Sequence, residues 1–305
     1  MIPFDVFPSV CRLAGSVTGR SRGEHTVIYG RKFATGLTAL ALGALTACNG
    51  APSPGGSPVG GGGGARPPTA AADGPSRASR NLPNDRSLRG KVIVVDPGHN
   101  GGNGGNPSYI NRQVDVINGR KACDTTGTAT ASGYSEAAFN WDVSTRLVKE
   151  LRARGARVLL TRTNNTGVGP CITERAAIGN RAKADAAVSV HADGARPSAR
   201  GFHIIQPGRL RGHNDKIIAP SARLGRALRD AYRAGTGVPY SNYLGANAID
   251  TRTDLGGLNL STVPKVFIEC GNMKNPGEAA KFTDPKFRQR VADSLADGFT
   301  AYFNG

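Results

Sequence analysis

KVIVVDPGHNGG, residues 91–102, decides how the rest of the chain is read. Val92, Ile93, Val94 and Val95 form an unbroken apolar, β-branched run of strand length, which suits a strand covered on both faces, as in a parallel sheet. Asp96, Pro97 and Gly98 end the run and pass the chain to a turn that carries His99. In open α/β sheets ligands collect in the crevice beyond the carboxyl ends of the strands, where loops hang from a rigid scaffold. The pattern puts His99 there.

Working outward, residues 100–133 are polar and rich in Gly, Asn and Pro, and read as a long loop that forms one wall of a cleft. Ser135 opens a helix that Gly155 stops. Phe139, Val143, Leu147 and Leu151 recur every fourth residue and give that helix one apolar stripe. At about 100° per residue, Glu136 falls nearly in line with Val143 and Leu147, on the buried side of the first turn. The alternative is a carboxylate drawn to the helix N-terminus by its dipole and turned towards water. A second strand follows at 157–161. Thr173 caps a helix running to about 183, and AAVSVHAD at 186–193 is a third strand that His191 ends as His99 ends the first. Two histidines at two strand ends of one alternating β/α chain reach the same edge.

Residues 202–206 make a short fourth strand, whose His203 reads as packed, while His213 and Asp215 read as solvated in a polar loop. A helix is expected over 221–233, then a Gly/Asn/Asp-rich passage to 254. In PKVFIECGN, Val266, Phe267 and Ile268 form another buried strand with Glu269 at its end, a third polar group on the same rim. Its alternative is an ion-pair partner for one of the many arginines. Asp284 and Pro285 start the last helix, with Phe287, Val291, Leu295 and Phe299 as its core face. The expected architecture is a single α/β domain over 88–305, a mostly parallel twisted sheet flanked by helices.

Ahead of that domain, residues 49–87 are dominated by Gly, Pro, Ala and Ser without hydrophobic period, the composition of a flexible linker. Arg31 and Lys32 lead into an apolar segment at 33–47, the length of a signal-peptide core and short for a bilayer span, so residues 1–48 read as an N-terminal extension and signal peptide. Leu45, Thr46, Ala47 and Cys48 resemble a bacterial lipobox, the alternative being an ordinary small-residue cleavage site. The expectation is an exported protein of the periplasm or cell envelope, lipid-anchored if Cys48 is modified. Beyond residue 48 the chain keeps 34 basic and 20 acidic residues, a net charge of +14. No nucleic-acid motif accompanies that charge, and for an exported chain anionic envelope polymers or lipid headgroups fit it better. Of five cysteines, Cys123 and Cys171 lie in Gly/Thr/Pro-rich loops and are expected to pair in an oxidising compartment, while Cys270 reads as a small core residue.

His99, Glu136 and His191 make a two-histidine, one-carboxylate set, and three protein ligands with a vacant fourth position is the arrangement of a catalytic zinc. Nitrogen ligands argue against calcium and magnesium. A further carboxylate should then accept a proton from water and pass it to a departing amine, and Glu269 is placed for that. DPGH around His99, SEAAFN around Glu136, SVHAD around His191 and PKVFIECGN around Glu269 resemble the zinc-dependent N-acetylmuramoyl-L-alanine amidases, the amidase 3 family, in order over residues 90–303. The resemblance implies zinc on His99, Glu136 and His191, Glu269 as the essential catalytic carboxylate, and hydrolysis of the amide between N-acetylmuramic acid and the L-alanine of the stem peptide. Peptidoglycan or muropeptide fragments are then the partners, acted on by a monomer. Asn100, Asn103, Asn272 and Lys274 depart from the family pattern and bear on substrate preference. The interval from His191 to Glu269 has room for one obvious helix, so no inserted helix is expected to block the metal. The competing readings are a zinc peptidase acting on stem peptides and a non-catalytic wall-binding protein.

Overall fold

A computed structural model describes residues 85–305; the segment read as a signal peptide, Cys48 and the stretch read as a linker as far as residue 84 lie outside the described residues. Strand β1 (Val92–Pro97) runs two residues further than its apolar run, because Asp96 and Pro97 still pair with the neighbouring strand. The 100–133 stretch is not structureless: it holds a short helix α1 (Pro107–Ile110) and a hairpin of β2 (Gln113–Asp115) and β3 (Arg120–Ala122). Helix α2 (Glu136–Ala153) follows, then β4 (Arg157–Leu160), α3 (Ile172–Arg181), β5 (Ala186–Asp193) and β6 (His203–Pro207). The chain continues through α4 (Asp215–Thr236), β7 (Ile249–Arg252), α5 (Gly256–Asn259), β8 (Lys265–Asn272), α6 (Pro276–Thr283) and α7 (Pro285–Asn304).

The main sheet has the order β4-β1-β5-β8-β6-β7. All its pairings are parallel except β6 with β8. Helices α2 and α4 lie on one face of the sheet and α7 packs on both of them, and their apolar stripes form one core cluster with Ile93, Val95 and Val188. Phe139, Val143, Leu147 and Leu151 of α2 are fully buried, as are Val291, Leu295 and Phe299 of α7. Each such side chain contributes about 1.5–3 kcal/mol relative to exposure, enough to fix the helices to the sheet. Val94 points the other way, into a smaller cluster with Ala184, Ala187 and Val263, so the first strand is covered on both faces. The Ser135 hydroxyl caps α2 by accepting from the Ala138 amide, and Gly155, at φ +90°, turns the chain out of it.

Several boundaries differ from the sequence reading. Helix α3 starts at Ile172 with Cys171 at its cap, so Thr173 lies inside the helix. Helix α4 starts six residues before the expected Ser221 and carries Pro220 within it. A proline there removes one backbone hydrogen bond, but Ile217, only 3 % exposed, anchors the preceding turn to the core. Asp215, expected in a loop, is therefore the first residue of that helix. Strand β7 was hidden in the Gly/Asn/Asp-rich passage because a short polar edge strand bonded on one side has no apolar pattern. Among the described residues no helix is long and apolar enough to cross a membrane. Between His191 and Glu269 the helices are α4, which packs on α7, and the single turn of α5.

Candidate metal centre and active site

Parallel pairing of β1 with β5 brings the turn after β1 alongside the end of β5. His99 sits in that turn at φ +59°, a left-handed conformation that costs a non-glycine residue about 1–3 kcal/mol. The surroundings enforce it: the Gly98 amide donates to the Val190 carbonyl at 3.0 Å, and Arg175 Nη2 donates to the His99 carbonyl at 2.9 Å. The imidazoles of His99 and His191 then meet edge to face, centroids 4.9 Å apart. Glu136, buried in the first turn of α2, reaches between them. Its Oε1 lies 3.1 Å from His99 Nε2 and 3.0 Å from His191 Nδ1. One ligand atom from each of the three residues lies within 4.8 Å of the others. The sequence-derived trio is thus brought together, with Glu136 facing inward and not bent to water.

The outer nitrogens of both rings are already engaged. His99 Nδ1 lies 3.1 Å from the Thr125 carbonyl and 3.1 Å from its hydroxyl, with Asp124 Oδ1 at 3.6 Å. His191 Nε2 lies 3.1 Å from Ser189 Oγ, and its ring stacks on Phe267 at 5.1 Å. Glu136 is held by the Thr128 amide at 2.9 Å on Oε2 and by Asn140 Nδ2 at 3.3 Å on Oε1. Burial opposes charge on both partners, but their mutual attraction prevails: Glu136 lies well below the usual carboxylate range, and Glu136 with Asp124 raises His99 to about 10. With its second nitrogen occupied elsewhere, each ring has one nitrogen aimed at the same carboxylate oxygen. That donor set, two imidazoles and a carboxylate, is one a borderline-soft divalent cation satisfies in place of the protons. The residues therefore fit a zinc ion.

Glu269 belongs to β8, the strand next to β5, and stands directly opposite His191 in register. It is not at a strand end, as the apolar run implied; β8 continues to Asn272, which pairs with Asp193 of β5. Glu269 and the three clustered residues line one open cleft of about 390 Å³ with Thr126, Gly127 and Asp193. Burial, then the charges of Glu136 and Asp193, push the Glu269 carboxyl well above its ordinary value. Its Oε2 is buried without a hydrogen-bond partner, a state that calls for a bound proton or a bound water.

The family model described as N-acetylmuramoyl-L-alanine amidase, amidase 3, matches residues 93–301. The chain belongs to the amidase 3 family. It is 40% identical over 217 residues to the N-acetylmuramoyl-L-alanine amidase Rv3717 of Mycobacterium tuberculosis, a match spanning 71% of this chain and 88% of that one. Among solved structures, the N-acetylmuramyl-L-alanine amidase Ami1 of Mycobacterium smegmatis superposes with TM-score 0.67 at 38% identity, covering 71% of this chain and 98% of that one. Ami1 of Mycobacterium abscessus superposes with TM-score 0.66 at 39% identity, covering 70% and 99%.

Several residues of this amidase 3 domain that shape the site escaped the sequence reading. Gly98 is required because a Cβ there would lie 2.2 Å from the His191 ring. Gly127, at φ +74°, packs against both His99 and Glu136, where a Cβ would lie 2.7 Å from each. Arg175, which the sequence reading did not single out, is buried and donates to Asp96, Asp124 and the carbonyls of Pro97 and His99. Asn103 donates to the Thr125 carbonyl at 2.8 Å and so fixes the group facing His99. Asn272 donates to the carbonyls of Arg196 and Ala199, a supporting task away from the cleft. The Cys123–Cys171 disulfide is formed and ties the loop carrying Asp124 and Thr125 to the start of α3. His203 is buried with neither ring nitrogen bonded and lies edge-on to Tyr243, so it is packed. His213 is exposed, and Cys270 is buried and free.

Proposed function

We propose that this domain hydrolyses the amide between the lactyl group of N-acetylmuramic acid and the L-alanine of the peptidoglycan stem, using zinc held by His99, Glu136 and His191, with Glu269 as the catalytic carboxylate. The observation that carries the reading is the convergence of three ligand atoms in a cleft that also holds one unpartnered carboxyl oxygen. When bound, zinc supplies Lewis acidity towards a carbonyl oxygen and lowers the pKa of water. Glu269 Oε2 then takes a proton from the attacking water and delivers it to the alanine nitrogen as the carbon–nitrogen bond breaks. The products are the lactyl carboxylate and a peptide with a free N-terminal alanine.

Names of relatives support the same chemistry, since the 40% identical mycobacterial protein is itself called an N-acetylmuramoyl-L-alanine amidase. Export to the envelope, with Cys48 as a lipid anchor, belongs to the proposal; fatty-acid labelling of the full chain that persists in a Cys48→Ala variant would remove the anchor from it. The decisive assay strips purified protein with chelator, restores zinc, and offers muropeptides to the parent and to Glu269→Gln. Metal-dependent release of peptides beginning with alanine is expected, with turnover at least about 100-fold lower in the variant. Cleavage within the stem would instead identify a peptidase, and equal turnover in the variant would remove Glu269 from the mechanism.

A further inference from the structure

The two histidines of the cleft present different nitrogens towards Glu136, Nε2 from His99 and Nδ1 from His191. Such a mixed arrangement persists only if each ring is held in its own tautomer by what its other nitrogen touches. For His99 the holder is a main-chain carbonyl, that of Thr125. For His191 it is a side-chain sequence that starts on the neighbouring strand, β1.

Ser189 precedes His191 by two residues in β5, so both side chains leave the same face of the sheet. Asp96 of β1 stands opposite Ser189 in the parallel register, on that same face. The result is a row: Asp96 Oδ2 lies 2.9 Å from Ser189 Oγ, and Ser189 Oγ lies 3.1 Å from His191 Nε2. All of it is closed off, Asp96 being 2 % and Ser189 1 % exposed. Asp96 is a carboxylate with two cations on it, Lys265 Nζ at 3.0 Å on Oδ2 and Arg175 Nη1 at 2.9 Å on Oδ1, and Thr161 donates to Oδ1 at 2.6 Å. A carboxylate so placed only accepts. The Ser189 hydroxyl must therefore donate its single proton to Asp96, which leaves its lone pairs for His191. His191 must in turn carry its proton on Nε2, and the Nδ1 lone pair faces Glu136.

We propose that Ser189 and Asp96 are positioning residues for the metal centre, a hydroxyl and a carboxylate acting in series to hold His191 as the Nε2-protonated, Nδ1-ligating tautomer. Neither touches substrate or metal. The inference rests on the reading of His99, Glu136 and His191 as zinc ligands. It goes beyond that reading by giving the second histidine an orienting partner drawn from β1, with Lys265 and Arg175 keeping that partner charged.

The test measures zinc affinity by competition with a chelator of known affinity, for the full chain and for Ser189→Ala, Ser189→Thr and Ser144→Ala. Ser144 is a buried serine of α2 whose hydroxyl has no partner, and it controls for the loss of a buried hydroxyl as such. Ser189→Ala is expected to weaken zinc about 10- to 100-fold, Ser189→Thr to restore most of it, and Ser144→Ala to leave it unchanged. Thermal melts of the zinc-free proteins should separate this from unfolding. Nitrogen-15 correlation spectra of the zinc-loaded parent give a readout needing no variant: His191 should show its proton on Nε2 and His99 on Nδ1. Unchanged affinity in folded Ser189→Ala, or a His191 ligating through Nε2, overturns the inference. If the parent binds no zinc, the metal reading falls and this inference with it; if the parent binds and Ser189→Ala binds equally, only this inference falls.

Discussion

Gly127→Ala should damage the metal site far more than it damages the fold, and Gly133→Ala supplies the comparison. Both glycines adopt positive φ, +74° and +86°, where a Cβ costs about 1–2 kcal/mol. A Cβ on Gly133 meets nothing within 4 Å, so that conformational cost is its whole effect. At Gly127 the added carbon would lie 2.7 Å from Glu136 Oε2 and 2.7 Å from His99 Cδ2, against about 3.4 Å for ordinary contact. The loop has nowhere to retreat, since the Thr128 amide is bonded to that same Glu136 oxygen and Thr125 to His99. Two of the three ligand side chains must then each give way by about 0.7 Å, more than the roughly 0.5 Å that a working constellation tolerates. Displacements approaching 1 Å cost about 100-fold in rate. We expect Gly127→Ala to lose about 100-fold in kcat/KM on muropeptides and to bind zinc more weakly, with melting temperature lowered by only a few degrees, as for Gly133→Ala. If both variants bind zinc alike and turn over alike, Gly127 does not set the position of the ligands.

Zinc added at about 100 times its Kd to chelator-treated protein should stabilise the domain by about 2.7 kcal/mol, seen as a raised melting temperature; the same rise in His191→Ala would refute the ligand assignment. Burial opposes ionisation of Asp96, but Lys265 and Arg175 outweigh it and hold its pKa well below the usual value. A depressed folded-state pKa contributes stability above the unfolded value of about 3.9 and loses it as pH falls below that. Melting temperature should therefore decline with acidification below about pH 4, and more shallowly in Asp96→Asn, itself several degrees less stable at pH 7; parallel pH profiles would contradict this. Removing the Cys123–Cys171 bridge frees a loop of 48 residues, for which chain entropy alone gives about 4 kcal/mol. Cys123→Ser with Cys171→Ser should melt much lower and bind zinc more weakly, because Asp124 and Thr125 hang on that bridge; a melt within about 2 °C of the parent would refute it.

The sheet was legible because its strands are buried on both faces and so appear as runs such as Val92 to Val95 or Val266 to Ile268, and α2 and α7 because their stripes repeat at a clean helical period. What escaped was decided by tertiary contact. Pro220 reads as a stop, yet Ile217 holds the preceding turn of α4 in the core. β7 has no apolar run because β6 is its one partner in the sheet. The same division runs through the site. His99, Glu136, His191 and Glu269 stood out as uncommon residue types at unusual places in the β/α order. Ser189, Thr125, Gly98 and Gly127 are common types, and nothing local marks them. Their task exists only once register and loop path are known, as with Ser189, which is a partner for His191 only because Asp96 arrives opposite it.

That contrast has a physical consequence for how the centre is built. His191 and Glu269 project from two central, adjacent strands, and the support of His191 runs laterally through Ser189 into β1, all within hydrogen-bonded sheet. His99 and Glu136 instead meet the loop at 123–128, whose grip comes from the disulfide, Arg175 and Asn103. One half of the centre is therefore as rigid as the sheet, and the other is as rigid as a stapled loop. Loosening the staple should disturb His99 before His191. Nitrogen-15 spectra of the zinc-loaded protein under mild reductant should accordingly show His99 resonances broadening or shifting while those of His191 hold. A uniform change of both rings would mean that the loop and the sheet edge move as one body.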